Sequence, residues 1–386
     1  MLLNLVATCA LGLEAVVSRE LLSLGMDNVA AHNGYVGFTG DVDALCRANL
    51  WLRSADRVWL CLDEFVCETF EDLYQGVKRL PWPQLLPRDA CFPVDGLTHN
   101  SRLTSLPAIQ RTAKKAAVEA MQTAYHLREL PETGALFPIR IFLVNDGCRV
   151  MLDTSGSGLH KRGYRTLNAA APLRETLAAA LIQLSYWSRE RLLIDPFCGS
   201  GTIPIEAAFI GLKRAPGLKR SFCSESWGFI KPSAWRQARE EAEDLFDRRG
   251  KLRIIGRDID PQVLKLAQIH FRQSGLPENT IIWQREDVRN LRTQRRYGVI
   301  VTNPPYGERV MEREEAEELY VALGQVVKPL DTWSVYAISS NPDFERFFGR
   351  KAERRRKMYN GMMQCTYYQY PGPRPPRPSG AGEEAK

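Results

Sequence analysis

Four segments in the second half of the chain put acids, glycines, prolines and an amide where strands are expected to end. The first is Leu192-Leu193-Ile194-Asp195-Pro196-Phe197-Cys198-Gly199-Ser200-Gly201-Thr202, with a helix expected over 203–209. An apolar strand that ends at an acid and runs into small residues lets the backbone approach a ligand at a helix start. A glycine-rich turn of this kind also serves nucleotides and phosphates, and three details narrow the choice. No Lys-Ser/Thr follows the last glycine, which argues against a phosphate-cradling loop. Asp195 would repel a pyrophosphate but suits the ammonium of a cationic amino acid. The next strand-end acid, Asp258, lies 57 residues past Gly201, whereas a dinucleotide fold wants it roughly 20 residues on.

The second segment is Ile254-Ile255-Gly256-Arg257-Asp258-Ile259-Asp260-Pro261. A carboxylate at the end of its strand can accept both hydroxyls of a ribose through two oxygens. Asp258 is placed for that, while Asp260 fits a helix cap with Pro261 at the first helical position. The third, Trp283-Gln284-Arg285-Glu286-Asp287-Val288, offers Asp287 to an adenine amino group and backbone at Val288. The fourth is Val299-Ile300-Val301-Thr302-Asn303-Pro304-Pro305-Tyr306-Gly307-Glu308-Arg309. Two prolines after a strand fix φ and hold Asn303 extended, so its amide points one way. An amino group on a purine is a poor nucleophile, because its lone pair is delocalised into the ring. The Asn303 side-chain oxygen and the Pro304 carbonyl can accept both amino hydrogens, favouring a pyramidal nitrogen aimed at an electrophilic methyl. Tyr306 can stack on the base, a contact worth roughly 1–3 kcal/mol. With a neutral thioether leaving from a sulfonium, alignment within ~3–3.5 Å supplies much of the rate, and no dedicated strong base is required.

The elements that must position these residues follow from patterning. From about residue 165, strands alternate with helices as in a parallel sheet covered on both faces. Strands are expected at Leu192–Asp195, Ile254–Arg257, Ile281–Gln284, Val299–Thr302, Val335–Ser339 and near Cys365–Tyr370. The first 60 residues read as a small α/β module with strands at Asn4–Thr8, near Val29 and at Tyr35–Phe38, and helices over Leu13–Leu24 and Asp41–Asn49. Between 60 and 155 come a strand at Val58–Leu62, a helix near Phe70–Leu80, a strand around Cys91–Val94 and a long helix over Ile109–Ala124. Strands Ile139–Val144 and Arg149–Asp153 close the section as a hairpin, joined by Asn145-Asp146-Gly147. Beyond Pro371, GPRPPRPSGAGEEAK cannot bury a core and is expected to be a disordered tail.

Composition bounds the reading. At 386 residues, two or three domains are expected. No apolar run approaches the roughly 20 residues of a membrane span, and the first 21 residues lack the basic start of a signal peptide. Nine cysteines lie scattered without a Cys-x-x-Cys pair or a neighbouring His cluster, a pattern of reduced thiols in a cytoplasm and not of a zinc site or disulfide framework. The sequence therefore assigns no metal, no membrane partner and no oligomeric state. A formal charge of +7 fits a polyanionic partner where it clusters. It does so at 110–115 and at 350–357, although a charge run alone is equally a solvated face.

The four segments together resemble the class I (Rossmann-like) S-adenosylmethionine-dependent methyltransferases, with an Asn-Pro-Pro-Tyr motif shared by DNA adenine-N6, RNA guanine-N2 and protein glutamine-N5 methylases. Further stretches resemble the THUMP-domain-bearing RNA guanine-N2 methyltransferases over almost the whole chain up to about residue 371. They include Thr8-Cys9-Ala10-Leu11-Gly12-Leu13-Glu14, Asp153-Thr154-Ser155-Gly156, Leu159-His160-Lys161-Arg162-Gly163-Tyr164-Arg165 and Ala171-Pro172-Leu173-Arg174-Glu175-Thr176-Leu177-Ala178. Ala215-Pro216-Gly217, Arg220-Ser221-Phe222 and Tyr359-Asn360-Gly361 complete the set. Within that family the chain is most similar to the bacterial large-subunit (23S) rRNA branch without a fused second methyltransferase, with a tRNA-directed relative the near alternative.

The resemblance implies an α/β chain with a ferredoxin-like module over 1–59 and a THUMP RNA-binding domain over 60–155. A class I methyltransferase domain follows over 156–371, and a tail over 372–386. It implies cofactor contacts from Asp195, Phe197, Gly199, Gly201, Thr202, Asp258, Ile259, Asp287, Val288 and Asn303. Asn303, Pro304, Pro305 and Tyr306 would form the reacting centre. The helix after Asp258 carries His270 where the family often has Asn, which puts a neighbouring structural contact in doubt. For RNA, the helix from Ile109 presents Arg111, Lys114 and Lys115 within about one turn, preceded by Arg102. Lys161 and Arg162 lie in a stretch that serves as a linker or lines the RNA path. Such groups touch phosphate and sugar, giving affinity with little sequence readout. DNA adenine-N6 methylation and a non-catalytic RNA-binding assembly factor are the competing readings.

Overall fold

The computed structural model describes residues 2–165, 173–307 and 313–376. Ala171, Pro172, Glu308, Arg309 and most of the expected tail, 377–386, lie outside the described residues. Contacts divide the chain into two compact units, Met1–Arg162 with Ala215–Asp244, and Gly163–Arg214 with Leu245–Lys386.

The first unit runs β1 (Leu3–Thr8), α1 (Glu14–Ser23), β2 (Asp27–His32), β3 (Tyr35–Gly40), α2 (Val42–Trp51), β4 (Arg57–Val66), α3 (Phe70–Lys78), α4 (Trp82–Leu85), β5 (Val94–His99), α5 (Leu106–Tyr125), β6 (Ile139–Val144) and β7 (Gly147–Asp153). All seven strands form one sheet in the order β2-β3-β1-β4-β7-β6-β5. The ten-residue β4 makes this possible. Its first half pairs antiparallel with β1, Leu60 opposite Leu5, and its second half runs out along β7 to Val66 opposite Gly147. A bulge between Cys61 and Asp63 marks the handover. The sequence-expected boundary at 59/60 thus falls inside a strand that both modules share. The Asn145-Asp146 turn closes β6 onto β7 with both residues at positive φ, +51° and +59°, which is the two-residue turn that matches strand twist. The strand expected around Cys91–Val94 begins only at Val94, where β5 finds its parallel partner β6; Cys91 makes a lone bridge to Leu136.

The second unit follows as α6 (Glu175–Leu184), β8 (Leu193–Asp195), α7 (Thr202–Gly211), then α8 (Pro232–Asp244), which belongs by packing to the first unit. It continues with β9 (Ile254–Asp258), α9 (Pro261–Ser274), β10 (Ile281–Arg285), β11 (Val299–Thr302), α10 (Arg313–Val327), β12 (Ser334–Ser339), α11 (Phe344–Phe348), β13 (Arg354–Asn360) and β14 (Met363–Tyr370). The sheet order is β10-β9-β8-β11-β12-β14-β13, with the first five strands parallel and the last two antiparallel to their neighbours. β8 and β11 are buried at every residue, as expected of parallel strands covered on both faces. The order reverses between β8 and β11, the position where open α/β sheets bind ligands at their carboxyl edge. This is a doubly wound α/β sheet with an antiparallel β14–β13 hairpin at one edge. β13 was not expected, since a strand of Arg354, Arg355, Arg356 and Lys357 carries no apolar alternation.

The segment 215–244 packs on the first unit through specific contacts. Trp227 stacks on Phe137 at 4.9 Å and donates its indole N–H to the Leu136 carbonyl at 2.8 Å. The Arg220 guanidinium donates to the carbonyls of Gly158 at 2.6 Å and Ser155 at 3.2 Å. Those carbonyls belong to the knot after β7. There Asp153 accepts the backbone N–H of Ser155 and Gly156 at 2.9 and 3.0 Å and pairs with Arg57. Thr154 donates to the Val58 carbonyl at 2.7 Å, and the amide of the buried Asn49 bridges the Thr154 and Ser155 hydroxyls at 2.8 and 2.6 Å. The Asp-Thr-Ser-Gly stretch is therefore a joint that locks β4, β7 and α2. Truncating Asn49 removes one hydrogen bond from each of two buried hydroxyls that otherwise hold only to Val58, so Asn49→Ala is expected to lower the stability of this unit by about 2 kcal/mol in urea unfolding; a change within about 0.5 kcal/mol would contradict the joint.

Candidate active site

The carboxyl ends of β9, β8 and β11 lie side by side. Asp195, at the end of β8, is 1% exposed. Its Oδ1 accepts the Thr302 hydroxyl from the end of β11 at 2.7 Å and the Phe197 backbone N–H at 3.2 Å. Burial pushes its carboxyl up to about 7, over the opposing pull of these two donors, and Asp258 nearby adds to the rise. An acid whose folded value is raised weighs against the fold most where it must ionise. Asp195 therefore costs stability increasingly as pH rises from the ordinary carboxyl range to about 7, and nothing in acid.

The turn after β8 is held at both flanks. Gly199 and Gly201 have φ of +51° and +85°, which an L side chain resists. Gly199 donates its N–H to Asp258 Oδ2 at 3.0 Å, and Oδ1 of the same carboxylate accepts from Asp260 N at 3.0 Å. Burial raises the Asp258 carboxyl above its usual range. Two N–H donors leave this carboxylate further acceptor directions for a diol. Asp260 caps α9 through Gln262 N at 2.7 Å, with Pro261 first in the helix, as its spacing predicts. No described atom lies within 4 Å of a Cβ built on Gly199, whereas one on Gly201 would sit 2.7 Å from the Trp283 ring and one on Gly256 2.6 Å from it. One glycine thus faces open space where a ligand can lie, and two let Trp283 pack beneath the turn. His270, buried on α9, places Nδ1 3.1 Å from the Ser200 carbonyl and so holds the turn from the helix side. The Thr202 hydroxyl accepts from Arg165 at 2.5 Å, which pairs with the buried Glu175 at 3.4 Å. Thr202 itself is buried and anchors the helix start.

Around β9 and β10 the expected contacts are partly engaged. Ile259 is 57% exposed at the site's rim. Asp287 accepts the backbone N–H of Arg289 at 2.8 Å and pairs with its guanidinium at 3.0 Å. Val288 is buried in the core cluster with Ile194 and Ile300. These residues fit S-adenosylmethionine: an open glycine turn, and a carboxylate with spare acceptors one strand away from an acid beside a polar strand end.

Beyond Thr302, Asn303 is half-buried and Pro304 buried. The Tyr306 hydroxyl donates to Asn303 Oδ1, occupying an acceptor direction of that amide oxygen. The corner is braced from behind by Tyr320 on α10, fully buried, whose hydroxyl donates to the Pro305 carbonyl at 2.6 Å and lies 3.4 Å from Ser339 Oγ. Sequence reading missed Tyr320. Its only signal is an aromatic residue on the apolar stripe of a helix 15 residues past Pro305.

The residues expected on RNA all lie in the first unit and divide sharply. Arg111 and Lys115 are exposed on α5, and Lys161 is exposed as well. Arg102 is exposed but paired with Glu68 at 2.7 Å and Asp146 at 3.7 Å. Lys114 folds back onto the Phe92 ring, 3.5 Å from its centroid, and pairs with Glu132 at 2.7 Å, so it does not share the outward face of its neighbours. Arg162 corrects the expectation outright. It is 3% exposed, with its guanidinium spent on the Leu159 carbonyl at 2.8 Å and that of Arg53. Tyr164 is likewise internal, its hydroxyl 3.2 Å from Glu206, so Arg162 and Tyr164 serve packing while Lys161 of the same stretch stays exposed. Among the described residues no group of three His, Cys, Asp or Glu is arranged to hold a metal ion, and no helix is long and apolar enough to cross a membrane.

Fold and site define a class I methyltransferase. Residues 162–369 match the family described as "RMKL-like, methyltransferase domain", to which the chain belongs. Residues 4–59 match the RlmL ferredoxin-like domain and 67–153 the THUMP domain. A Bacillus subtilis (strain 168) protein named "Putative RNA methyltransferase YpsC" is 45% identical, with 95% of each chain covered. The crystal structure of "a predicted N6-adenine-specific DNA methylase" from Listeria monocytogenes str. 4b F2365 superposes with a TM-score of 0.92 at 45% identity, covering 97% of each chain. The crystal structure of "SMU.472, a putative methyltransferase complexed with SAH" superposes with a TM-score of 0.91 at 41% identity, covering 97% of this chain and 99% of that one.

Two substitutions test the geometry. Gly201→Ala drives a Cβ into Trp283 at strained φ, and is expected to weaken S-adenosylhomocysteine binding by about tenfold or more in calorimetry; unchanged affinity would mean the turn is not the pocket. Tyr306→Phe keeps the ring and frees Asn303, so kcat/KM should stay within about threefold. Tyr306→Ala should lose roughly ten- to a hundredfold through lost stacking. Equal losses in the two variants would assign the role to the hydroxyl.

Proposed function

We propose that this protein transfers a methyl group from S-adenosylmethionine to the exocyclic N2 amino group of a guanine in RNA, in 23S rRNA, in the cytoplasm. The observation that carries the reading is the Asn303-Pro304-Pro305-Tyr306 corner, standing at the carboxyl end of β11 next to the acid-ended β8. An RNA substrate is supported by the THUMP domain and by the name of YpsC. The donor is supported by the SAH held in SMU.472. Guanine N2 and the large-subunit target rest on the sequence resemblance.

S-adenosylmethionine supplies an electrophilic methyl carbon on a sulfonium whose leaving group is a neutral thioether. The chain's own residues do the remainder. Asp258 offers its spare lone pairs to ribose hydroxyls, and the buried Asp195 favours a cation nearby, since ionising it needs a positive neighbour. Asn303 Oδ1 exchanges the Tyr306 hydroxyl for one amino hydrogen, and the Pro304 carbonyl takes the other. The nitrogen lone pair is thereby turned out of the ring plane and forms the N–C bond, after which one amino proton leaves to solvent. Tyr320 holds the Pro305 peptide so that this corner does not yield when the base enters. Such work is alignment and hydrogen bonding and not strong-base catalysis.

The name of the Listeria neighbour favours a second reading, adenine N6 in DNA. Nucleoside mass spectrometry of rRNA, tRNA and DNA from a deletion strain separates the two. Loss of N2-methylguanosine from 23S rRNA is expected. Loss from tRNA alone would move the target, and loss of N6-methyladenine from DNA would replace the reading. Intact nucleosides throughout would favour a non-catalytic assembly factor. In the purified protein, Asn303→Ala is expected to abolish transfer while S-adenosylmethionine affinity stays within a few-fold; retained activity would remove Asn303 from the mechanism.

A further inference from the structure

The second basic run, 350–357, has no part in the site described above. It forms the start and approach of β13, the edge strand of the methyltransferase sheet. β14 pairs with β12 only as far as Thr366 opposite Ser339. Its earlier residues Met363, Gln364 and Cys365 pair with β13 alone, opposite Asn360, Tyr359 and Met358. The β13–β14 hairpin therefore overhangs the carboxyl edge of the sheet by three residues, about 10 Å at strand rise. That is the edge where Asn303 and Tyr306 stand, and Cys365 Sγ lies 3.9 Å from the Tyr306 hydroxyl oxygen. The hairpin turns at Gly361, φ +66°, and its tip residue Met362 is wholly exposed. Arg355 and Arg350 are held by Glu345 at 2.6 Å and Glu353 at 3.5 Å. Among the described residues Lys351, Arg354 and Lys357 are exposed cations with no ion-pair partner.

Resting on the RNA reading above, we propose that this hairpin is a second RNA-contacting element: Arg354 and Lys357 meet phosphates, and Met362 packs against the bases flanking the methylated nucleotide. Charged side chains on an edge strand also deter unwanted strand pairing, and a single exposed apolar residue is ordinary. Neither accounts for an unpaired Lys357 at the sheet's carboxyl margin, opposite Thr366, with an uncovered methionine carried past it toward the catalytic corner; Arg354, opposite Gln369, extends the cationic edge three residues further back. An anionic strand with stackable faces is the partner whose chemistry matches both. A base must leave its stack for Asn303 to reach its amino group, and an apolar wedge such as methionine holds the gap.

The test uses the full chain and two RNAs containing the guanine located by nucleoside mapping, one with it base-paired and one with it unpaired. Met362→Ser is expected to lower kcat/KM about tenfold on the paired RNA and to stay within about twofold on the unpaired one, with S-adenosylmethionine affinity unchanged. Reversing Arg354 and Lys357 to Glu is expected to weaken RNA binding and reduce the slope of log affinity against log salt by about 1.5. No loss with Met362→Ser, or an equal loss on both RNAs, overturns the wedge; an unmoved salt slope overturns the phosphate contacts. Wild-type protein that binds cofactor but methylates neither RNA overturns the RNA reading and this proposal together, whereas active wild type with indifferent variants overturns only the hairpin.

Discussion

The hydrogen bond from Thr302 to Asp195 joins the ends of two neighbouring buried strands, and the site depends on it. β8 delivers the glycine turn and β11 delivers Asn303, so the relative height of that turn and of the Asn-Pro-Pro-Tyr corner is set where those strands stop. A hydroxyl 2.7 Å from a carboxylate fixes that height without adding a second buried charge. The cost is visible in Asp195, whose proton affinity is raised by burial. A buried acid without a cationic partner is a weak point in a fold but a useful one in a pocket that receives a cation, because the ligand supplies what the protein withholds.

The rest of the second unit reads as support for those two strand ends. Asp258 ties the glycine turn to β9, His270 ties it to α9, and Trp283 fills the space that Gly201 and Gly256 leave. Tyr320 braces the proline corner from α10. These contacts come from four separate elements, and each meets the backbone of a loop, so the loops are over-determined while their side chains and open faces stay available. The first unit solves a different problem. A single long strand, β4, lets two modules share one sheet, and the Asn49, Asp153, Thr154 and Ser155 knot pins the strand where the chain turns away.

Sequence pattern carried far where structure is local. Strands ending in acids, the Asn-Asp-Gly hairpin turn and the Asp260-Pro261 helix start depend on neighbours within a few residues, and they stand where spacing places them. What was not legible depends on distant partners. β13 is a strand because β14 pairs with it, despite its run of cations. β5 starts three residues late because β6 decides where pairing begins. Arg162 reads as an RNA-facing cation until two carbonyls, one of them over a hundred residues upstream at Arg53, draw it inside. Lys114 and Lys115 are adjacent in the chain yet lie on different faces, one against Phe92 and Glu132, the other in solvent. The shared sheet and the packing of 215–244 on the first unit are of the same kind, visible only once strands and loops have met.

In the proposed mechanism the Asn303 corner receives the target amino group at the point the Tyr306 hydroxyl now fills. A crystal structure with sinefungin and an RNA fragment bearing the target base tests it most directly. The base amino nitrogen is expected within hydrogen-bond reach of Asn303 Oδ1 and the Pro304 carbonyl, with the Tyr306 ring against the base and its hydroxyl displaced. A base bound elsewhere, with Tyr306 still donating to Asn303, would contradict it.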